Sequence, residues 1–343
     1  MRRLLNTLYV TIPDAYLACD GENVLVKIND EIKFRVPIHN LEGIVCFGFA
    51  GASPGLMHLC CERGVALSFL TVYGKFMGRV TGKISGNVLL RRSQYRWSDD
   101  EAIATRLAKR FIVAKIINSR AVLHRLLRDH SEAIDVELIT NIISIMAYTA
   151  RQLEKADNLG EVRGLEGQAA NLYFSGFNQL ILTQKEEFCM KGRNRRPPRD
   201  RINALLSFLY TLLAHEVAAA LESIGLDPQV GFLHRDRPGR LSLALDLMEE
   251  LRPHFADRLV VTLINRNQIY AEGFIEKENG AIIMNDETRK VVLTAWQTRK
   301  QEEITHPYLE EKVSLGLVPY IQAMLMARHI RGDLEDYPPF FWK

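Results

Sequence analysis

The chain has 343 residues, 47% hydrophobic and 25% charged, with a net charge of +3 at pH 7. This composition is ordinary for a soluble globular protein, and the length exceeds one compact core, so two domains are expected. The five cysteines are odd in number, which argues against a disulfide framework, and the small positive excess does not by itself indicate nucleic-acid binding.

The first residues, MRRLLNTLYVTIP, do not form the long apolar core of a signal peptide. The longest nearly continuous apolar run is ALLSFLYTLLA at 204–214, well short of the roughly 20 residues that a spanning helix needs. These features predict a cytoplasmic protein that does not contact a membrane.

Short β-branched runs dominate the first ninety or so residues. VLVKI and IKFRVPI alternate polar and apolar residues, and turn residues at 21–23 and 29–31 separate them, which predicts a meander. One short helix is expected at 53–64, with Ser53 as its N-cap and Gly64 as its stop. We therefore predict an N-terminal antiparallel β domain, small and sandwich-like, over residues 1–95.

Near Trp97 the period changes to that of helices. A capped helix is predicted from Ser98 through residue 130. Further helical patterns cover 134–156, 161–188, 200–225, 241–251 and 308–331, and a less regular region at 259–296 accommodates a small hairpin. The predicted fold class is α+β, with the β domain followed by a larger all-α C-terminal domain over residues 96–343, which would be the catalytic domain.

Positive charge is concentrated in three segments. Residues 101–130 hold seven Lys/Arg against two acids, residues 191–201 hold six against one, and three arginines follow His234. Such clusters are typical of phosphate binding, although a solvated helix face would explain 101–130 equally well. The candidate DNA-binding residues are Arg193, Arg195, Arg196, Arg199, Arg235, Arg237 and Arg240.

Two segments carry acids in unusual settings. Glu166 lies among small residues in GLEGQAANLYF, and Asp246 and Glu249 share one stripe of the helix predicted over 241–251, with His234 just before it. Carboxylates with retained waters suit Mg²⁺ or Mn²⁺, and an imidazole shifts the preference toward Mn²⁺. Spacing alone leaves two readings open, a metal site or a helix crossing with a structural histidine.

Three motifs in order resemble the CRISPR-associated endonuclease/integrase of spacer acquisition, the large subunit of the adaptation complex. They are LEGQAANLYF (165–174), RRPPRDRINALLSFLYTLL (195–213) and GFLHRDRPGRLSLALDLMEELRP (231–253). Weaker similarity spans the rest of the chain, and the set resembles the branch found with subtype I-C systems.

The resemblance implies a metal site for Mg²⁺ or Mn²⁺ made by Glu166, His234 and Glu249, in a position where some relatives carry Asp instead of Glu249. Asp246 would support this site and Tyr173 would lie beside it, whereas Glu250, next to Glu249, is expected to be a solvated neighbour.

The implied activity is insertion of short foreign DNA fragments into a CRISPR array by phosphoryl transfer. The implied partners are double-stranded DNA (prespacer and CRISPR repeat), a second copy in a homodimer formed by the N-terminal domain, and the small dimeric subunit of the same complex. Two alternatives remain: a stand-alone metal-dependent nuclease acting on branched DNA repair intermediates, and a DNA-binding scaffold without catalysis.

Overall fold

The structure is a computed structural model that describes residues 5–12, 14–48, 50–72, 74, 76–82, 88–194 and 197–342. The chain divides into two compact units. Met1–Ser85 and Asp286–Glu302 form one, here called the β unit, and Gly86–Asn285 and Glu303–Lys343 form the other, the helical unit.

The elements are as follows in chain order. The strands are β1 (Asn6–Val10), β2 (Tyr16–Asp20), β3 (Asn23–Ile28), β4 (Glu31–Pro37), β5 (Leu41–Phe47), β6 (Gly51–Ala52), β7 (Ala66–Leu70), β8 (Phe76–Val80), β9 (Phe274–Glu276), β10 (Ile282–Met284), β11 (Glu303–Thr305) and β12 (Lys312–Ser314). The α-helices are α1 (Pro54–Arg63), α2 (Val88–Asp99), α3 (Glu101–His130), α4 (Val136–Lys155), α5 (Leu159–Ser175), α6 (Arg201–Ile224), α7 (Ser242–Met248), α8 (Arg258–Asn265), α9 (Asp286–Lys300) and α10 (Val318–Ile330). A π-helical turn, Pro253–Asp257, precedes α8.

Two four-stranded sheets make up most of the β unit, in the orders β1-β5-β7-β8 and β4-β3-β2-β6. Buried residues of both sheets and of α1, among them Leu17, Ile44 and Leu56, share one core. The predicted α+β class with N-terminal strands is confirmed. The sheets are more mixed than predicted, because β1–β5, β5–β7 and β2–β6 pair in parallel. The β5–β7 connection runs through α1, the kind of crossover that parallel strands require.

Local signals set the ends of α1 as predicted. The Ser53 hydroxyl accepts a hydrogen bond from the Leu56 N–H, and Gly64 takes a left-handed conformation at φ 66°. Helix α9 also belongs to the β unit, where Lys300 is only 1% exposed and its Nζ lies 2.7 Å from Glu42 Oε1 on β5. The chain therefore returns to the β unit after residue 285.

The predicted N-cap of the long helix was wrong. Asp100, not Ser98, caps α3, because its Oδ1 accepts from the N–H groups of Ala102 and Ile103 at 2.9 and 3.0 Å. Ser98 lies inside α2 and donates its hydroxyl proton to the Tyr95 carbonyl. An N-cap needs a free side-chain acceptor at the first turn, and α2 extends too far to leave Ser98 in that position.

Helix α6 has a cap at each end, with Asp200 accepting from the Asn203 N–H at 2.7 Å and Gly225 left-handed at φ 94°. It is the one helix in the described part of the chain long and apolar enough to cross a membrane. However, 61% of its most apolar 18-residue stretch is buried, as in a core helix, and α6 packs on α7 and α10.

Short hairpins interrupt the C-terminal helices. The pair β9–β10 confirms the small hairpin predicted within 259–296, and β11–β12 is a second one. The helix predicted from 308 starts only at Val318, since β12 and a 3₁₀ turn precede it.

Candidate active site

The carboxylates of Glu166 and Glu249 converge on the ammonium group of Lys115. Glu166 lies on α5, Glu249 directly follows α7, and Lys115 lies near the middle of α3. Lys115 Nζ is 2.5 Å from Glu166 Oε1 and 2.8 Å from Glu249 Oε2. Two acids that are far apart in sequence thus share one cation.

Arg252 is a second cation in contact with Glu249. Arg252 Nη1 lies 2.8 Å from Glu249 Oε1, and the Glu249 side chain is only 3% exposed. Burial acts to raise the pKa of Glu249, but Arg252, Lys115 and His234 outweigh it and lower that pKa to about 2. Burial likewise acts to lower the pKa of Lys115, yet Glu249 and Glu166 raise it overall. The acid and both its cations are therefore ionised at neutral pH.

The loop that carries His234 is built around the buried carboxylate of Asp246. Asp246 accepts hydrogen bonds from the backbone N–H groups of Phe232, Leu233 and His234 at 2.6, 2.9 and 3.0 Å. His234 Nδ1 lies 2.6 Å from Asp246 Oδ1. Since an ionised carboxylate only accepts, we assign the proton of a neutral imidazole to Nδ1, which leaves the Nε2 lone pair available.

The close fit of this loop requires glycine at residue 231. A Cβ there would lie 2.7 Å from Asp246 Oδ2 and 2.7 Å from the Ser242 carbonyl carbon. From the opposite side, Arg163 on α5 donates from Nε and Nη2 to the Leu233 carbonyl at 2.8 and 2.7 Å. The helix that carries Glu166 therefore also positions the histidine loop.

The donor set suits a divalent cation, although no three His, Cys, Asp or Glu side chains in the described residues are gathered closely enough to hold one. The carboxylates of Glu166 and Glu249 already share one cation, the ammonium group of Lys115. The imidazole of His234 is fixed through Nδ1 by a carboxylate, which is the usual arrangement of a metal-binding histidine. The chemistry fits a metal, provided that Lys115 Nζ leaves the carboxylate pair.

A cavity adjoins the acid pair, lined by Lys115, Tyr173, Tyr210, Arg252 and Asp257 among others. The Tyr210 hydroxyl donates to Asp257 Oδ1 at 2.6 Å. Burial raises the pKa of Asp257 to about 6, and burial with the nearby Asp257 raises that of Tyr173 well above its ordinary value. Tyr173 thus lies in the wall beside Lys115, with its hydroxyl buried.

Glu250 is not the solvated neighbour that was expected, because it is fully buried. Its Oε1 accepts from the Tyr337 hydroxyl at 2.6 Å and from Gln322 Nε2 at 2.9 Å, and its Oε2 accepts from the Phe340 N–H at 3.0 Å. Burial outweighs these hydrogen bonds and raises the pKa of Glu250 to about 7. The expectation failed because its partners come from α10 and the C-terminal segment, which spacing within α7 cannot reveal.

Arg193, a candidate DNA contact, bonds within its own chain. Its Nη1 donates to Asn203 Oδ1 at 2.5 Å and to the Asn194 carbonyl at 2.7 Å, and its guanidinium lies 5.4 Å from the Tyr210 ring centre. Arg193 therefore links Asn194 to Asn203 on α6, and its contact with DNA stays a prediction.

The other candidate arginines differ in exposure. Arg199, Arg235 and Arg237 are exposed and Arg240 is partly exposed, whereas Arg195 and Arg196 lie outside the described residues.

Three site residues were missed by sequence reasoning. Lys115 counted only as one of seven basic residues of a helix face, and neither Arg163 nor Arg252 was singled out. A weak signal existed in each case: Lys115 sits in the apolar run FIVAKII, Arg163 is three residues before Glu166, and Arg252 is three residues after Glu249.

Solved structures share this fold. A casposase bound to an integration product matches with a TM-score of 0.83 and 23% identity, covering 97% of this chain and 92% of that one. A CAS1 protein from Thermotoga maritima matches with a TM-score of 0.80 and 22% identity, covering 96% and 97%. A Cas6-RT-Cas1–Cas2 complex chain matches with a TM-score of 0.83 and 24% identity over 99% of this chain but only 36% of its own length.

Sequence comparison gives the family. The model for CRISPR associated protein Cas1 matches residues 8–298. A CRISPR-associated endonuclease Cas1 from Chlorobaculum tepidum is 50% identical over 343 residues, and another from Rhodospirillum rubrum is 51% identical over 347, each aligned over the full length of both chains. The chain belongs to the CRISPR-associated Cas1 family.

Proposed function

We propose that this protein is a metal-dependent DNA endonuclease and integrase that inserts short foreign DNA fragments into a CRISPR array. The observation that carries the proposal is the meeting of Glu166 and Glu249 at one cation, beside an imidazole that Asp246 orients. Membership in the Cas1 family, with curated relatives that are named endonucleases, supports the nuclease activity.

Glu166, Glu249 and His234 Nε2 would hold a Mg²⁺ or Mn²⁺ ion. When bound, the ion supplies Lewis-acid stabilisation of the charge that develops on the scissile phosphate. Asp246 keeps the His234 ring in one orientation through Nδ1, which leaves Nε2 to bind the ion. Arg252 keeps Glu249 ionised and in place.

The exposed arginines around the site would hold the DNA backbone without reading its sequence. Arg235 and Arg237 lie on the loop that follows His234, and Arg199 precedes α6. Phosphate contacts of this kind position a duplex and make its binding sensitive to salt. Tyr173 is proposed to shape the wall of the site rather than to react.

The proposed partners are double-stranded DNA, a second copy of the chain and the small subunit of the adaptation complex. One match is a casposase bound to an integration product, and another is a Cas6-RT-Cas1–Cas2 complex, which supports DNA and a Cas2-type partner. We propose that the β unit forms the homodimer and that the protein acts in the cytoplasm.

The test is strand transfer of a short duplex into a repeat-containing plasmid with Mn²⁺, using Glu166→Ala and His234→Ala. Both variants should lose activity, whereas Glu154→Ala, an exposed acid on α4, should keep it. Full activity in a folded Glu166→Ala or His234→Ala variant would remove the metal-site assignment. DNA binding by the wild type without any strand transfer or cleavage would favour a binding scaffold. Equal turnover on a branched junction and on the plasmid would favour a repair nuclease instead.

A further inference from the structure

Lys115 is a charged residue in the buried part of a helix. Ala114 and Ile116, its neighbours on α3, are 0% and 1% exposed, and the Lys115 side chain is 13% exposed. Burying an ammonium group is costly unless it is paired, and its pairs are the two acids proposed to bind the metal. The same acids thus serve a lysine and a metal ion.

The charges of this cluster cancel without a metal ion. Glu166 and Glu249 supply two negative charges, and Lys115 and Arg252 supply two positive ones. A divalent ion would leave the cluster with two excess positive charges unless an anion accompanied it. A DNA phosphate supplies part of that negative charge, and the transition state of phosphoryl transfer supplies more.

Of the two cations, only Lys115 bridges both acids. Arg252 is three residues from Glu249, and its guanidinium lies 4.8 Å from the Tyr210 ring centre, which fixes it in place. Lys115 is a compact charge on a flexible four-carbon stem, and so its Nζ can move by rotation of its side chain alone. Lys115 is therefore the cation better able to move when an ion arrives.

We propose that Lys115 occupies the place of the metal ion until DNA arrives, and that its Nζ then transfers from the carboxylates to the DNA phosphate. This inference rests on the proposed function. The transfer makes metal binding and DNA binding mutually dependent. Phosphate has access to the cluster, because the side chains of Glu166 and His234 are 28% and 20% exposed. Without DNA, Lys115 competes with the ion; with DNA, it adds one contact to the phosphate.

The test is titration of the full-length protein with Mn²⁺, measuring free Mn²⁺ by electron paramagnetic resonance, with and without a duplex whose dideoxy 3′ ends cannot attack. We expect Lys115→Gln to bind Mn²⁺ alone at least about tenfold more tightly than wild type, within the usual range of coupling between sites. DNA should tighten Mn²⁺ binding by a larger factor in wild type than in Lys115→Gln.

Three further measurements make the result decisive. Lys155→Gln neutralises an exposed lysine at the end of α4 and should behave as wild type. Lys115→Arg keeps the charge and should bind Mn²⁺ alone as weakly as wild type, even if Lys115→Gln does not fold. The melting temperature in EDTA should be lower for Lys115→Gln, which leaves the buried Glu249 and the partly exposed Glu166 with one cation fewer, and Mn²⁺ should restore it.

The outcomes separate this inference from the function on which it rests. Wild type that binds Mn²⁺ with DNA, beside a folded Lys115→Gln that binds Mn²⁺ alone no more tightly, would overturn the exchange and leave the metal site standing. The same holds if Lys115→Arg binds Mn²⁺ alone much more tightly than wild type. Absence of Mn²⁺ binding to any of these proteins, with or without DNA, would overturn the proposed function as well.

Discussion

Glu249 and Glu250 are adjacent in sequence and equally buried, yet their surroundings are opposite. Glu249 faces two cations, Lys115 and Arg252, and its pKa falls to about 2. Glu250 faces only neutral donors, from Tyr337, Gln322 and the Phe340 N–H, and its pKa rises to about 7. The comparison teaches that burial alone does not decide the charge of a carboxyl group; the charge of its neighbours does.

The two pockets also serve different ends. The cationic pocket keeps an acid ionised next to a partly exposed imidazole and next to a helix that carries a second acid, and we propose that a metal ion binds there. The neutral pocket anchors the C-terminal segment: Asn118 on α3 donates to the carbonyls of Glu250 and Phe340 at 2.7 and 2.8 Å and accepts from the Trp342 N–H. The first pocket is the proposed metal site, and the second fixes the backbone of the C-terminal segment.

The largest contrast is expected in catalysis. Loss of an outer partner of a metal ligand costs roughly 10–100-fold, so Glu249→Gln, which removes a proposed ligand, should lower the strand-transfer rate by about 1,000-fold. Glu250→Gln should stay within about tenfold of wild type, because it keeps most of the neutral pocket. Equal losses in the two variants would mean that the pockets are not functionally distinct.

For stability the order should be reversed, so that truncation of Glu250, which anchors the C-terminal segment, has the large effect. Glu250→Ala leaves three donors without an acceptor in a buried place, and we expect the free energy of unfolding to fall by roughly 3–5 kcal/mol. Urea unfolding followed by circular dichroism measures it. Glu335→Ala, an exposed acid in the same C-terminal segment, should change it by less than about 0.5 kcal/mol. A cost below about 1 kcal/mol for Glu250→Ala would contradict the anchoring role.

The smallest effect is the pH dependence of stability. The folded pKa of Glu250, about 7, lies above its ordinary 4.5, so its proton stabilises the fold at low pH, and this contribution is lost as pH rises through 7. The difference in unfolding free energy between wild type and Glu250→Gln should therefore fall by roughly 2–3 kcal/mol from about pH 5 to pH 8. For Glu249 the folded pKa of about 2 is below 4.5, so its contribution is lost only as pH falls below 4.5.

The Glu249→Gln variant supplies the control for this measurement. Its difference from wild type should stay flat between about pH 5 and pH 8, since both pKa values of Glu249 lie below that window. Parallel slopes for the two variants would show that the two carboxyl groups titrate alike, which would contradict the opposite pKa shifts of Glu249 and Glu250.

The sequence was informative wherever the signal is local. Ser53 and Gly64, and Asp200 with Gly225, mark helix ends by residues whose side-chain acceptor or left-handed backbone acts within one turn. The candidate residues of the site also stood out in short motifs, and the structure brings Glu166 and Glu249 to one cation. A short motif can indicate candidate site residues, because the residue type alone gives the chemistry of each side chain.

What depends on distant contacts was not predictable. In the sequence Lys115 is one more basic residue of a helix face, because the acids that pair with it, Glu166 and Glu249, lie on α5 and after α7. Glu250 reads as a surface acid, because Gln322 and Tyr337 reach it only in the folded chain. The parallel strand pairs and the return of α9 to the β unit likewise follow from chain path, about which periodicity carries no information.

The most direct test of a metal site at Glu166, His234 and Glu249 is a crystal of the protein bound to a duplex with dideoxy 3′ ends, soaked with Mn²⁺ and measured at the manganese absorption edge. We predict an anomalous peak between the carboxylates of Glu166 and Glu249 and next to His234 Nε2, with Lys115 Nζ moved away from both acids. A saturating soak that gives no peak there, with Lys115 still bridging Glu166 and Glu249, would contradict this metal site.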